Sequence, residues 1–168
     1  MNLLFETARL VIRPFNLDDA EFIVRLLNEE SFLRCIGDKQ VRTNNDAEAY
    51  LANGPIASYE KYGFGLSMVQ LQGCATPIGM CGILKRPELD WPDLGYAFLP
   101  EFCGKGYAYE AAAAVLQAGI KQHGLTKVLA ITLPNNLSSN KLLTKLGFRL
   151  KDSIEIYHCI NNLYEYSK

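Results

Sequence analysis

The chain has 168 residues, 49% of them apolar and 21% charged, with a formal net charge of −1. That is enough apolar material to bury one core without disulfides or metals, and it lies far from the composition of a disordered segment. A charge so near zero gives no general attraction for nucleic acid or an anionic membrane, both of which are recognised through excess Lys and Arg.

At the start, Glu6 and Arg9 interrupt the apolar run, so it reads neither as a signal peptide nor as a membrane span. Cys35, Cys74, Cys81, Cys103 and Cys159 are widely spaced without a C-x-x-C pair, and only His123 and His158 accompany them. This pattern predicts reduced structural thiols, no metal site and a cytoplasmic protein, while the length and the lack of a dividing repeat or linker predict a single domain over residues 1–168.

Residues 8–13 alternate, with Leu10 and Ile12 on one face and Arg9, Val11 and Arg13 on the other, which predicts a strand ended by Pro14. Asp18 and Glu21 have capping-box spacing ahead of the stripe Ala20, Ile23, Val24 and Leu27, a first helix. A second helical stretch begins near Asp46 and includes Ala47, Tyr50 and Leu51. Gly54-Pro55 then predicts a broken helix pair, because proline lacks the N–H and crowds the preceding turn.

Residues 65–71 and 77–84 are β-favouring runs joined by a loop over 72–76, an antiparallel pair. After a proline-punctuated loop over 85–92, residues 93–99 predict a strand stopped by Pro100. Ala108, Ala111, Ala112, Val115 and Gly119 then form the smooth face of a helix ending near Gly124. A buried-looking strand over 127–132 and a helix over 138–146, closed by Gly147, follow. From Phe148 the pattern predicts two strands turning near Asn161-Asn162.

The stretch Glu101-Phe102-Cys103-Gly104-Lys105-Gly106-Tyr107-Ala108-Tyr109-Glu110 lies where a strand gives way to a helix. Gly104 and Gly106 remove side chains that would block a close approach. The first helical turn offers unpaired N–H groups and the positive end of the macrodipole, and Lys105 can add a charge-assisted contact, which together favour a phosphate group. Walker spacing is absent. A Rossmann fingerprint would put its third small residue at Tyr109 and lacks an acidic residue after the next strand.

Cys103-Gly104-Lys105-Gly106-Tyr107-Ala108 resembles the Q/R-x-x-G-x-G/A signature of the GNAT superfamily of N-acetyltransferases, with Cys103 in place of Gln or Arg. Thr7-Ala8-Arg9-Leu10-Val11-Ile12-Arg13 is similar to the opening strand of the branch containing the ribosomal-protein alanine acetyltransferases. Pro77-Ile78-Gly79-Met80-Cys81-Gly82 resembles its mid-sheet strand, and Asp93-Leu94-Gly95-Tyr96 the strand entering the cofactor loop. Asn136-Leu137-Ser138-Ser139 followed by Lys145-Leu146-Gly147-Phe148 is similar to the branch's N-x-x-S and L-G-F pattern, and the order along the chain agrees.

The resemblance implies an α/β (α+β) fold of GNAT type: a mixed, mostly antiparallel central sheet splayed into a V, with helices on both faces. It implies acetyl-CoA as co-substrate, its pantetheine between the strands at 93–99 and 127–132, and transfer of the acetyl group to a primary amine of a protein N-terminus or a small molecule. No metal, nucleic acid or membrane is implied, and the chain is expected to be a monomer or homodimer. A non-catalytic acyl-CoA-binding or sensor module of the same fold is the alternative.

By the same resemblance, backbone groups of Ala97, Phe98 and Leu99, the loop residues Cys103, Gly104, Lys105, Gly106, Tyr107 and Ala108, and Asn136 and Ser139 bind the cofactor. Ser139 matches the hydroxyl that protonates the coenzyme A sulfur, and a strand N–H near Phe98 or Leu99 would polarise the carbonyl. Asp93 matches an acidic position able to accept the amine proton through water, with Glu110 and Glu88 as further candidates. An α-amine, with a pKa of about 8, needs less help than lysine at about 10.4.

Each of these residues also has a structural reading. Ser139 can start a helix together with Asn136 and Ser138, Asp93 can be a solvated strand-end carboxylate, and Glu110 can complement the helix dipole. Cys103 as a nucleophile lacks a histidine nearby in sequence. His123 reads as a favourable charge at a helix end and His158 as a packed or edge strand residue. Trp91, held in a loop between Asp90 and Pro92, is expected to line an acceptor pocket, whereas Tyr59, Tyr62 and Phe64 fit either a pocket or the core.

Overall fold

A computed structural model describes residues 4–168. Alternation along the strands builds an 8-stranded sheet in the order β1-β2-β3-β4-β5-β6-β8-β7. The strands are β1 (Phe5–Glu6), β2 (Leu10–Pro14), β3 (Leu66–Leu71), β4 (Pro77–Leu84), β5 (Asp93–Phe98), β6 (Lys127–Thr132), β7 (Arg149–Ile156) and β8 (Cys159–Ser167). The helices are α1 (Ala20–Leu27), α2 (Glu30–Cys35), α3 (Asn44–Leu51), α4 (Ala57–Tyr62), α5 (Tyr107–His123) and α6 (Leu137–Leu146). Neighbouring strands pair antiparallel except β5 and β6, which run parallel.

Both faces of the sheet are covered, so the central strands read as nearly continuous apolar runs. On one face Met68, Met80, Ala97 and Leu99 pack against the stripe Ala20, Ile23, Leu26 and Leu27 of α1 and against Ala47 and Leu51 of α3. On the other, Leu10, Ile12, Val69, Ile78, Cys81 and Ile83 meet Ala111, Ala112, Val115 and Leu116 of α5. Each fully buried Leu or Ile contributes about 1.5–3 kcal/mol. The small-residue face lets α5 lie close: a Cβ on Gly119 would stand 3.2 Å from Ile83 Cγ1.

The splay of the sheet positions everything that follows. β5 and β6 share one register pair, Asp93 with Leu129, reinforced by the Leu129 N–H donating to the Pro92 carbonyl at 2.9 Å. β6 stays paired with β8 from Lys127 to Thr132, so beyond Asp93 it leaves β5 and the sheet opens as a V. β5 remains fastened to β4 along its whole length.

Several local expectations need correction. The helix pair is not broken at Gly54-Pro55: a π turn, Ala52–Ile56, joins α3 to α4, its wider ring accommodating the buried Pro55. The capping box ahead of α1 uses Asn16 and Asp19 rather than Asp18 and Glu21. It starts a 3₁₀ turn, Leu17–Asp19, that feeds the helix, with Asp19 held by Arg13 at 2.7 Å. Helix α2 has no counterpart in the sequence reading.

The final hairpin turns at Tyr157-His158, with φ of 54° and 63°, and not at Asn161-Asn162. Asn161 instead sits buried in β8, its side-chain amide donating to the carbonyls of Ile156 at 3.4 Å and Cys159 at 3.1 Å. All five cysteines are free. Among the described residues no helix is long and apolar enough to cross a membrane.

Candidate active site

The glycine loop leaves β5 through the 3₁₀ turn Pro100–Phe102 and enters α5 at Tyr107. Gly104 and Gly106 have φ of 78° and 85°, the left-handed region that a Cβ disfavours, so the glycines serve geometry as well as space. Among the described residues, the amides of residues 104–109 donate to no protein acceptor, and the first bond of the helix runs from the Glu110 N–H to the Gly106 carbonyl at 3.1 Å. The open amides and the positive end of the helix dipole therefore lie together at the start of α5. Lys105 is exposed, its ammonium 5.9 Å from the Phe102 ring centre.

Glu110 is anchored rather than solvated. Its carboxylate accepts from Thr7 Oγ1 at 2.5 Å, from the Arg9 N–H at 2.9 Å and from Arg9 Nε at 2.8 Å. Desolvation acts to raise its pKa, but the bonds from Thr7 and Arg9 outweigh it and the net shift is downward. That leaves Glu110 a poor proton acceptor.

Along β5 the register decides which backbone groups are available. The Leu99 N–H donates to the Ile78 carbonyl of β4 at 2.9 Å, and the Leu99 carbonyl accepts from the Phe102 N–H at 3.0 Å. Leu99 is thus excluded as a carbonyl-polarising donor. Consecutive residues of a strand turn their N–H and C=O groups to opposite edges. Ala97, two residues back and in register with Met80, shares the β4 side. Tyr96 and Phe98 therefore turn their backbone groups to the other edge, into the V.

Ser139 lies in the first turn of α6. It accepts a hydrogen bond from the Tyr96 hydroxyl at 3.1 Å, while its N–H donates to the Asn136 side chain at 3.4 Å. Asn136 is the N-cap of α6, as the structural reading expects. Burial pushes the Tyr96 phenol up to about 12, so it stays a neutral donor. With Tyr96 donating to it, the Ser139 hydroxyl keeps its own proton free for a third partner.

Asp93 is neither solvated nor free. It is fully buried at the apex of the V, and Arg86 holds both its oxygens, Nε to Oδ1 at 3.0 Å and Nη2 to Oδ2 at 2.7 Å. Burial pushes the Asp93 carboxyl up, and Arg86 partly offsets that shift. Arg86 also donates to the Tyr157 hydroxyl at 3.2 Å, which in turn donates to Glu88 at 3.2 Å, fastening the hairpin tip over the β4–β5 loop.

Trp91 is 42% exposed, on the closed side of the V, with Lys127 over its ring at 4.9 Å. The Cys103 thiol leans on the Leu99 carbonyl at 3.6 Å, and desolvation raises its pKa, the opposite of an activated nucleophile. His123 packs edge-on to Phe64 at 5.2 Å and desolvation lowers its pKa, so the helix-end charge expected there is weakened. Tyr59 belongs to the core framework, its hydroxyl accepting from the Phe15 N–H at 3.0 Å. Tyr62 and Phe64 stack at 5.7 Å.

The sequence reading gave no role to Tyr96 or to Arg86. Tyr96 was visible within Asp93-Leu94-Gly95-Tyr96, but a strand tyrosine reads equally as core, and its partner is 43 residues away.

A sheet opened at one strand pair, with open helix-terminal amides at the mouth of the opening, defines an acyltransferase fold of the coenzyme A-binding kind. The chain belongs to the GNAT acetyltransferase family: residues 9–149 match the model for the acetyltransferase (GNAT) domain. It is 29% identical over 143 residues to YnaD of Bacillus subtilis, described as an uncharacterized N-acetyltransferase, spanning 85% of this chain and 81% of YnaD. An acetyltransferase from Agrobacterium tumefaciens has the same fold, with a TM-score of 0.86 at 21% identity over 100% of this chain and 96% of its own. The ribosomal α-N-protein acetyltransferase RimL, solved in complex with coenzyme A, has a TM-score of 0.82 at 13% identity, covering 98% of this chain and 97% of its own.

Proposed function

We propose that the chain is an acetyl-CoA-dependent N-acetyltransferase, with Ser139 as the proton donor to the departing sulfur and a primary amine as acceptor. The observation that carries this reading is a set of polar groups with hydrogen-bonding capacity left open on one side of β5. It runs from the amides of residues 104–109, along the free edge of β5 at Phe98 and Tyr96, to the Ser139 hydroxyl. The loop amides, helped by Lys105, hold the diphosphate. The Phe98 and Tyr96 edge pairs with the pantetheine amides as a missing strand would, and the acetyl carbonyl is polarised from that same edge.

The amine nitrogen attacks the thioester carbonyl carbon and the C–S bond breaks. The amine proton leaves to water, Ser139 donates its proton to the sulfur, and solvent restores it. Tyr96, donating to Ser139 Oγ, steadies the serine as its charge changes. Asp93 serves as the anchor of the V rather than as the base, because Arg86 occupies both its oxygens and its full burial leaves none open to an incoming amine or its water.

An acceptor that arrives neutral suits this site. An α-amine is about one-tenth neutral at pH 7, lysine only a few parts in ten thousand. That arithmetic, with the shape shared with RimL, supports a protein or peptide N-terminus as acceptor. The test is thiol release from acetyl-CoA against peptides with varied N-termini and a library of small amines. Release with an α-amine and none with lysine side chains is the expected result. Coenzyme A binding without release from any amine would favour the non-catalytic acyl-CoA module.

A further inference from the structure

Glu110 raises a physical problem for a diphosphate site. It stands in the first turn of α5, where a carboxylate gains from the same positive helix end that a phosphate would use. Two anions sharing one helix terminus repel unless one of them is neutralised.

Arg9 supplies the neutralisation from across the chain. Its Nε and backbone N–H grip Glu110 at 2.8 Å and 2.9 Å, and its guanidinium lies 4.4 Å from the centre of the Tyr107 ring. Its Nη1 donates to the Lys105 carbonyl at 3.0 Å. A trans peptide plane carries its C=O and the following N–H in opposite directions, so tying the Lys105 carbonyl back toward Arg9 turns the Gly106 N–H away from it. That amide belongs to the open set described above. The arrangement also needs a glycine at 106, since a Cβ there would meet Arg9 Nη2 at 3.2 Å in a backbone conformation with φ of 85°.

We propose that Arg9 and Glu110 form a clamp that presets the loop for a diphosphate: Arg9 cancels the Glu110 charge beside the anion site and holds the Lys105–Gly106 peptide with its N–H outward. The inference rests on the acetyl-CoA reading above and assigns both residues as positioning residues, not catalytic ones. Glu110 in turn keeps Arg9 in place, with Thr7 capping its second oxygen. Removing Arg9 alone leaves a bare carboxylate beside the phosphates, whereas removing both charges does not. The two substitutions are therefore non-additive in a stated direction.

The experiment compares Arg9→Met, Glu110→Gln and the double variant in the full chain. It reads the dissociation constant for coenzyme A and the ratio of kcat/KM for acetyl-CoA to that for acetyl-pantetheine, which carries the thioester without phosphates. Arg9→Met is expected to weaken coenzyme A binding by about tenfold to thirtyfold and to lower the ratio by a similar factor. The double variant is expected to recover part of that loss. Equal losses on both substrates, or a double variant as weak as the product of the singles, would overturn the clamp while leaving the acetyl-CoA reading in place. Failure of the unmodified chain to bind coenzyme A would overturn both.

Discussion

The assignment of Asp93 as an anchor rests on a charge balance that Arg86→Met disturbs directly. Asp93 is 0% exposed and Arg86 supplies two bonds to it, so the methionine variant leaves a buried carboxylate without its cation. Removing one partner of a buried pair costs about 3–5 kcal/mol, and since the Arg86 side chain is 22% exposed the lower end applies, about 3 kcal/mol. For a chain of 168 residues this corresponds to a fall of about 6–12 °C in Tm.

The sign of the pH effect follows from burial. A carboxyl whose folded pKa is raised above its ordinary 3.8 contributes its stability below that value and loses it as pH rises through the folded pKa. Without Arg86 the folded pKa rises further, so the Tm deficit should be larger at pH 8 than at pH 5. The double variant Arg86→Met/Asp93→Leu, which buries no charge, should regain most of the loss. Calorimetric melting of the three proteins across that pH range decides the matter. A Tm unchanged in Arg86→Met, or an Asp93→Asn protein with wild-type Tm and turnover lowered a hundredfold, would refute the anchor and restore Asp93 as a chemical base.

Ser139→Ala should lower kcat about a hundredfold, the low end for a general acid, while the dissociation constant for coenzyme A changes by less than about threefold; equal loss in both would remove Ser139 as the acid. Tyr96→Phe keeps the ring in the core and should cost about tenfold in kcat alone, read in the same assay. The pH profile of kcat/KM should rise with a single apparent pKa near the acceptor's own, about 8 for an α-amine, with no lower limb from a carboxylate base; a limb near pH 5 would contradict it. At the hairpin tip, His158 has φ of 63° without being glycine, so His158→Gly should raise Tm by a few degrees, about 1 kcal/mol.

The legible parts of this chain were those where the local residue type dictates the geometry. Gly104 and Gly106 occupy left-handed backbone, Gly124 and Gly147 close helices with positive φ, and the alternation of Leu10 and Ile12 places both in one core layer. The final turn was illegible because Tyr157-His158 has none of the usual turn chemistry, while Asn161-Asn162 has all of it. The β7–β8 register and the Asn161 side chain outweigh that propensity. The distinction between Phe98 and Leu99 needed the register as well, since a shift by one residue exchanges which amide faces the V. Charge pairing was hidden for a related reason: Asp93 and Arg86 are seven residues apart but meet only because a hairpin folds β4 against β5, and Glu110 meets Arg9 across 101 residues.

The polar groups divide the site into what is fastened and what is left open. Every helix start leaves its first N–H groups open, and what distinguishes this one is that it follows directly on the open edge of a splayed strand, an arrangement in which a ligand can supply partners to both. Asp93, Glu110 and Leu99 are each fixed by two or more bonds, and all three hold the shape of the V or its loop. The open groups are donors for the most part: the amides of residues 104–109, the free edge at Phe98 and Tyr96, and the Ser139 hydroxyl. A row of donors suits a substrate that brings phosphates, amide carbonyls and a thioester oxygen in that order. Among the described residues the carboxylates nearest the row, Asp93 and Glu110, are both engaged, which is why the proposed reaction gives the amine proton to water. On the proposed reaction, acceptor selection is tied to amine pKa before any pocket shape comes into play.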